Sequence, residues 1–430
     1  MKNRIKQYLL AASMCVGLTA CSDFFEPIPG VQFGLDETFA SKQRTEEYLN
    51  NVYSYVREVT DAIHPNTYGG IFTEASLDGA NRWNKTYAEW TNGSFNSASA
   101  QASEYFSKYY QAIAKASTFI QNVDKCTEAA ASTRGKWKSE ARALRAYYYF
   151  ELLRLYGPIP LIGEDPIPLD ASLEELIKER NSVDECVNFI ATELQSAIDS
   201  GDLLQRAGKA NLGRMDVATC MALKAKLYLY WASPLFNGNT DQASVKNKDG
   251  KQLFPQTEDN SKWTQARDAY ERFMTFATGQ GYKLTEVYTN GKLDPYASCR
   301  AAGEFFTTTW EAVDELIFVK LRDLYDYTYW VCPKFTDFQD TDVTGGGGYY
   351  TTQETVDLFF TKDGLTIEED PGYDKFEGIP GANNFTSGRY YDPNNPSRLY
   401  FDADKSKVLK QWKDREPRFY VNITYAALSG

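Results

Sequence analysis

The chain is poor in the residues from which most catalytic and metal sites are built. It has 430 residues, seven cysteines and one histidine, His64. A Ser-His-Asp triad, a Cys-His pair or a histidine metal cluster would have to use His64, which precedes Pro65 in a polar stretch typical of a surface loop. No cysteines are spaced as C-x-x-C, and the phosphate-loop, nucleophile-elbow and EF-hand motifs are missing. The sequence therefore predicts no cofactor and no metal.

Positive charge is also scarce, with 46 Lys and Arg against 58 Asp and Glu. The formal net charge is −12, and removal of Lys2, Arg4 and Lys6 with a cleaved leader would take it to about −15. Phosphate backbones are bound through Lys and Arg, so this balance argues against nucleic acid and against an anionic membrane surface as a ligand. No stretch beyond the leader is apolar enough to span a bilayer.

The first 20 residues have the three regions of a signal peptide. Its positive residues precede an uncharged apolar stretch from Leu9 to Ala20, which is too short to span a membrane. Small residues then lead directly into Cys21. This order is typical of a lipobox, in which the cysteine is acylated; the alternative is an ordinary signal peptide that happens to precede a cysteine. We predict a signal peptide over residues 1–20 and a palmitate-type lipid anchor on Cys21.

Helical periodicity dominates residues 21–280. The most regular helix is predicted over 136–156, where Gly157 and Pro158 stop it. A Ser-x-x-Glu capping box predicts a helix over 183–199, and Asp216 is the expected N-cap of a helix over 217–231. The helices follow one another through short links, as they do in tetratricopeptide repeats.

Beyond residue 280 the sequence becomes rich in turn-forming residues, with a strand predicted at 316–319. The predicted fold is therefore mainly α: a tetratricopeptide-like helical array with a mostly irregular C-terminal third and a few short strands. We expect one domain over 21–430, mostly helical in 21–280 and loop-rich in 281–430. Five cysteines, from Cys126 to Cys332, are expected to be small buried hydrophobic residues, although an exported protein can also form disulfides.

Aromatic residues are abundant, at 15% of the chain. Sugar rings present apolar faces that stack on Trp and Tyr, while Asp, Asn and Arg pair with the hydroxyl groups. Two loop-like segments combine both kinds of side chain. We call them the two aromatic segments: the first contains Asp78, Arg82, Trp83, Tyr87 and Trp90, and the second contains Tyr325, Tyr327, Tyr329 and Trp330. For each single aromatic residue, packing in the core is the competing explanation.

Three stretches resemble a known family. They are residues 140–161 (EARALRAYYYFELLRLYGPIPL), residues 351–364 (TTQETVDLFFTKDG) and residues 415–419 (REPRF). With the lipobox, they resemble the SusD/RagB family of outer-membrane nutrient-binding lipoproteins from Bacteroidetes. Glu416 stands where the family more often has Asp. Family chains usually continue well beyond the third stretch, so we expect the usual C-terminal part to be lacking.

The resemblance implies a role in nutrient uptake rather than catalysis. Such proteins are held at the outer membrane by their lipid, face the cell exterior, and capture oligosaccharides for a SusC-type TonB-dependent transporter. Asp23 and Glu26 resemble the surface-export signal of this phylum. Two alternatives remain open: a RagB-like protein that binds peptides, and a surface glycosidase, which would need only a pair of carboxylates.

Overall fold

The computed structural model describes residues 34–56, 76, 79–81, 89, 92–165, 167, 171–304, 314–320, 349–373, 385–387, 406–423 and 428–429. These residues form a mainly helical protein, which confirms the predicted fold class. The helices with described ends are α1 (Leu35–Ala40), α2 (Lys42–Tyr53), α3 (Ala100–Asn122), α4 (Ala131–Tyr156), α5 (Leu173–Leu176), α6 (Val183–Asp199), α7 (Val217–Ala232), α8 (Ser261–Gly279), α9 (Pro295–Glu304), α10 (Gln353–Asp357) and α11 (Pro417–Asn422).

The long helices form an array in which each packs against the next. Helix α3 packs against α4, α4 against α6, α6 against α7, and α7 against α8. The core runs through this stack, with Tyr109, Leu144, Ile190 and Leu227 almost fully buried. Burying a large apolar side chain stabilises the fold by roughly 1.5–3 kcal/mol, so each helix depends on its neighbours for stability.

The predicted helix ends are largely confirmed. Ser182 Oγ accepts from Glu185 N at 3.3 Å, and Glu185 Oε2 accepts from Ser182 N at 2.7 Å, so the capping box forms at the start of α6. Asp216 caps α7 through Thr219 N at 2.7 Å. Helix α4 ends at Gly157 with φ at 67°. It begins five residues before the predicted start because its first turn is polar and has no apolar periodicity.

Two local predictions were wrong. Residues 316–319 form no strand: among the described residues they have no pairing strand, and the chain bends at Ile317 and Phe318. In α8, the spacing of Trp263, Ala266, Tyr270 and Phe273 predicts one buried face, but Trp263 is 41% exposed, whereas Lys262 is only 4% exposed. The ammonium of Lys262 lies 3.0 Å from Asp184 Oδ1 and 4.4 Å from the centre of the Trp231 ring. These contacts explain how a lysine can lie at a buried position of α8.

The described strands are short and antiparallel. β1 (Ala80–Asn81) pairs with β4 (Tyr349–Tyr350), β2 (Tyr288–Thr289) pairs with β3 (Lys292–Leu293), and β5 (Phe385–Ser387), β6 (Ser406–Leu409) and β7 (Leu428–Ser429) form a sheet with β6 in the middle. Few strands and many irregular connections are what the composition of the C-terminal third predicted.

The second and third family-like stretches come together in the C-terminal region. Thr361 and Arg415 form an isolated antiparallel bridge, and Arg415 is 4% exposed. Its guanidinium donates to the carbonyl of Val356 and to the hydroxyl of Tyr373. Glu416 accepts from Phe360 N at 2.9 Å, so a glutamate at this position joins the two stretches. Both stretches therefore have a structural role here.

The described cysteines are unpaired. Cys126, Cys186 and Cys220 are buried and Cys299 is partly buried. Burial raises the pKa of the Cys186 thiol to about 12, so this side chain stays protonated at neutral pH. The prediction of small buried hydrophobic residues is confirmed for the three buried cysteines; Cys332 lies outside the described residues.

Candidate functional site

The nine residues named in the two aromatic segments lie outside the described residues, as do Cys21 and His64. The structure does describe five residues around them, which we call the bordering residues. They are Val56, 22 positions before Asp78; Ala80 and Asn81, between Asp78 and Arg82; and Lys320 and Tyr349, on either side of the second segment.

Val56 and Lys320 are in direct contact. The ammonium of Lys320 donates to the carbonyl of Val56 at 2.6 Å and approaches that of Ser54 at 3.4 Å. Both carbonyls belong to the turn that follows the C-terminus of α2, where helix geometry leaves carbonyl groups without partners. Val56 and Lys320 are therefore neighbours in the fold although 264 positions separate them in the sequence.

The bordering strands make a second connection. Ala80 pairs with Tyr350 and Asn81 pairs with Tyr349 in an antiparallel ladder. Asp78 stands two residues before β1, and Arg82 and Trp83 directly follow it. Backbone pairing thus joins the two described residues between Asp78 and Arg82 to residues 349–350.

The segment 314–320 is fixed to the helical array by its own contacts. Thr219 Oγ1 donates to the carbonyl of Ile317 at 3.3 Å, and the ring of Phe318 meets Tyr147 edge to face at 6.2 Å. Gly213 has φ at 85°, and a Cβ atom there would lie 2.8 Å from the Val319 carbonyl oxygen. A side chain at Gly213 would therefore push this segment away from the array.

Sequence reasoning did not single out these bordering residues. One lysine and one glycine carry no motif, and their roles depend on contacts with residues far away in the sequence. The helical periodicity of α4, by contrast, predicts that its tyrosines at 147–149 are structural, and the structure confirms that all three are buried. Tyr148 and Tyr149 are fully buried, and Tyr148 donates to the carbonyl of Val52. These two aromatic residues are structural.

The buried carboxylates of the described residues all have structural partners. Burial raises the pKa of Glu140, against the opposing effect of the Arg214 guanidinium, whose Nε lies 3.0 Å from Oε2. The four buried acids and their nearest partners are Glu140 with Arg214, Glu151 with Arg154, Glu193 with Arg145, and Asp216 with Thr219 N. Each balances a cation or caps a helix, which accounts for its burial without a catalytic role.

A polar groove of about 640 Å³ lies at the N-terminal ends of α2 and α4. Its charged lining consists of Lys42, Glu46, Lys136, Asp202 and Arg214. The one aromatic residue in its wall, Trp137, is 3% exposed and presents no open face. The groove therefore lacks the stacking surface that a sugar ring requires.

Two further observations bear on cofactors and membranes. Within the described ranges, no three His, Cys, Asp or Glu side chains are placed to hold a metal ion together. In the same part of the chain, every helix falls short of the length or hydropathy that a membrane span requires.

Two family models match the sequence. One, described as SusD-like and "starch-binding associating with outer membrane", matches residues 32–229, and the SusD family model matches residues 315–427. A SusD-like protein of Bacteroides ovatus is 27% identical over 175 residues, which are 39% of this chain and 30% of that protein.

Solved structures with the same fold include two proteins from Bacteroides fragilis. A SusD-like protein has a TM-score of 0.60 at 20% identity and covers 91% of this chain and 62% of its own. A SusD-like carbohydrate-binding protein has a TM-score of 0.53 at 17% identity and covers 78% of this chain and 57% of its own. The chain thus spans less than two thirds of the length of each of these relatives.

Proposed function

The chain belongs to the SusD/RagB family, and on that premise we propose that it is a glycan-binding lipoprotein of the cell surface. In this proposal it captures oligosaccharides and delivers them to a SusC-type TonB-dependent transporter in the outer membrane. The body is a single domain over residues 21–430, tethered through a lipid on Cys21 after removal of residues 1–20. Its activity is binding and release, without a chemical step.

The observation that carries the proposal is the contact between the residues that border the two aromatic segments. Lys320 contacts Val56, and β1, which lies between Asp78 and Arg82, pairs with β4, where the described chain resumes after the second segment. From these contacts we infer that the two segments contribute aromatic faces and hydroxyl-binding groups to one ligand site. The ligand contacts proposed are Asp78, Arg82, Trp83, Tyr87, Trp90, Tyr325, Tyr327, Tyr329 and Trp330.

Two further observations support binding rather than catalysis. The buried acids of the described residues are engaged by Arg side chains or helix N-termini, which leaves none of them to form a glycosidase pair there. The carbohydrate-binding protein from Bacteroides fragilis shares the fold. Affinity is expected in the micromolar to millimolar range, roughly −8 to −4 kcal/mol, since captured cargo must be released.

The direct test is a glycan screen of purified residues 22–430, by affinity gel and array, with reaction products monitored. Retention by one polysaccharide class without breakdown supports the proposal and identifies the ligand class. Release of sugar from the retained glycan identifies a glycosidase instead. A folded sample that binds no glycan but retains peptides identifies a RagB-like peptide carrier.

A further inference from the structure

One carboxylate of the polar groove lies directly on the backbone of α4. Gly135 is in the second turn of this 26-residue helix, where glycine is disfavoured relative to alanine. A Cβ atom at this position would lie 2.7 Å from Cγ and from both carboxylate oxygens of Asp202, which is part of the groove lining. Because Gly135 has no side chain, the Asp202 carboxylate can occupy this place against the helix.

Asp202 is held there without a cationic partner. Its backbone N–H donates to Ser200 Oγ at 3.2 Å, but within the described part of the chain no donor or cation binds its carboxylate. Glu46 of α2, the other carboxylate of the lining, likewise forms no ion pair or hydrogen bond there. A carboxylate that is placed by a close approach and makes no internal ion pair can bind a cationic group of a ligand.

The opposite charge in the groove comes from Lys136, the residue that follows Gly135. Its ammonium donates to Asn211 Oδ1 at 3.3 Å and lies 3.8 Å from Glu140 Oε1. These contacts fix the ammonium group and leave it N–H donors for a ligand, since an ammonium has three. The side chain of Lys42 adds a second ammonium to the lining.

The buried acid beside the groove does not cancel this positive charge. Glu140 Oε2 accepts from the Tyr53 hydroxyl at 2.9 Å and lies 3.0 Å from Arg214 Nε. Its other oxygen, Oε1, makes no hydrogen bond among the described residues and lies 3.8 Å from the Lys136 ammonium. One buried carboxylate is therefore shared between two cations, which leaves a net positive charge on this side of the groove.

We propose that the polar groove binds a free amino acid, with the ligand's ammonium group at Asp202 and its carboxylate at Lys136. The two charges lie at adjacent positions of α4, which suits a molecule that carries an ammonium and a carboxylate on one carbon atom. A volume of about 640 Å³ leaves room for the ligand's own side chain. The site uses none of the proposed glycan contacts and is independent of the proposed function.

The first test is calorimetric titration of residues 22–430 with each standard L-amino acid in turn. At least one should bind. Its N-acetyl derivative retains only the carboxylate charge and its amide retains only the ammonium charge. Each derivative should bind about tenfold more weakly, because it loses one charged hydrogen-bonding group. Absence of binding by every amino acid, or undiminished affinity for either derivative, would overturn the inference.

The second test locates the bound amino acid. Asp202→Asn removes the charge, and Gly135→Ala displaces the carboxylate with a methyl group, so each should weaken binding about tenfold. Two variants are the matched controls and should bind as wild type does. Asp199→Asn changes a carboxylate of α6 that bonds to Gln195, and Gly279→Ala adds a methyl group that meets no atom within 4 Å. Wild-type affinity in Asp202→Asn and Gly135→Ala, or equal losses in the controls, would contradict a site in the groove.

Loss of folding is recognised separately by urea denaturation. Alanine is favoured over glycine inside a helix, and the exposed Asp202 side chain can turn away from the new methyl group, so Gly135→Ala should remain folded. Retention on the glycan identified in the screen should be equal in Asp202→Asn, Gly135→Ala and wild type. Parallel loss of glycan and amino-acid binding would contradict an independent site. A protein that binds an amino acid but no glycan would contradict the proposed function alone.

Discussion

The guanidinium of Arg145 lies against the carboxylate of Glu193, with Nε 2.7 Å from Oε2, where neither side chain is more than 6% exposed. The pair joins α4 to α6, and Arg145 Nη1 also donates to Ser117 Oγ of α3 at 3.0 Å. Three helices of the array are thus linked through one buried cation. The arginine belongs to the first family-like stretch, which therefore has a structural role here.

Removing this cation should lower the stability of the fold. Arg145→Met would leave Glu193 buried with only Arg142, at 2.9 Å, as a charged partner. We expect the free energy of unfolding in urea to fall by about 3 kcal/mol, because a buried carboxylate would lose its main counter-charge. Arg267→Met is the control, since Arg267 is 65% exposed beside Asp268 and should cost about 0.5 kcal/mol or less. Equal losses in the two variants would contradict the structural role of the buried pair.

The fold was largely predictable because local chemistry fixes the helix ends. Ser182 and Asp216 are caps that act within one turn, and Gly157 is a stop signal that acts at one residue, so each could be read from adjacent positions. Burial was harder to predict. Lys262 rather than Trp263 faces the core because Asp184 and Trp231 of other helices receive its ammonium group.

The site was predictable only as two regions. Composition identifies the aromatic segments, but the contacts between the described residues around them join positions up to 270 apart in the sequence. No pattern in the adjacent sequence predicts that Ala80 pairs with Tyr350 or that Lys320 bonds to Val56. Residues 316–319 were predicted as a strand for the same reason: their apolar character is evident in the sequence, whereas the absence of a partner strand among the described residues depends on the fold.

The capping box of α6 should make stability depend on pH. Lys251, at 2.7 Å from Oε2, and the backbone N–H of Ser182 lower the pKa of Glu185 to about 2. A lowered carboxyl pKa gives stability that is complete above the unfolded pKa near 4.5 and is lost as the pH falls towards 2. Glu185→Gln should therefore lower the free energy of unfolding at pH 7 and converge with wild type in strong acid.

The size of this effect is limited by solvent. The Glu185 side chain is 45% exposed, so the expected loss at pH 7 is about 1 kcal/mol or less. Urea denaturation at several pH values between 7 and 2.5 measures it. Lys251→Met should reproduce most of the loss at neutral pH. A difference between Glu185→Gln and wild type that stays constant across this range would show that the charge of Glu185 contributes nothing.

The lipid anchor is tested by replacing its acceptor. Cys21→Ala removes the thiol that the proposed acylation requires, so the protein should move from the membrane fraction to the soluble fraction of the cell. Acyl chains supply about 0.8 kcal/mol per buried methylene, and no helix of the described residues replaces them as a membrane span. Cys15→Ala, in the leader, is the control and should leave fractionation unchanged. Membrane retention of Cys21→Ala would contradict the anchor.

Gly213 should be more sensitive to substitution than a glycine of similar conformation elsewhere. Both Gly213 and Gly201 have positive φ, at 85° and 74°, so alanine is strained at either position. That strain costs about 1–2 kcal/mol. Only at Gly213 does the added methyl group meet another atom, the carbonyl oxygen of Val319 at 2.8 Å. Gly213→Ala should therefore lose more stability in urea than Gly201→Ala, and it should also weaken glycan binding by displacing residues 314–320.

The aromatic segments are tested by removing one stacking face from each. Trp83→Ala and Trp330→Ala should each weaken glycan binding about tenfold or more by calorimetry, because one stacked ring contributes on the order of 1 kcal/mol or more. Trp263→Ala is the control: this residue is 41% exposed on α8 and lies in neither segment, so its loss should leave affinity unchanged. Circular dichroism should show all three variants folded. Wild-type affinity in both Trp83→Ala and Trp330→Ala would reject these segments as the ligand site, and a loss in only one would restrict the site to that segment, against a site shared by both.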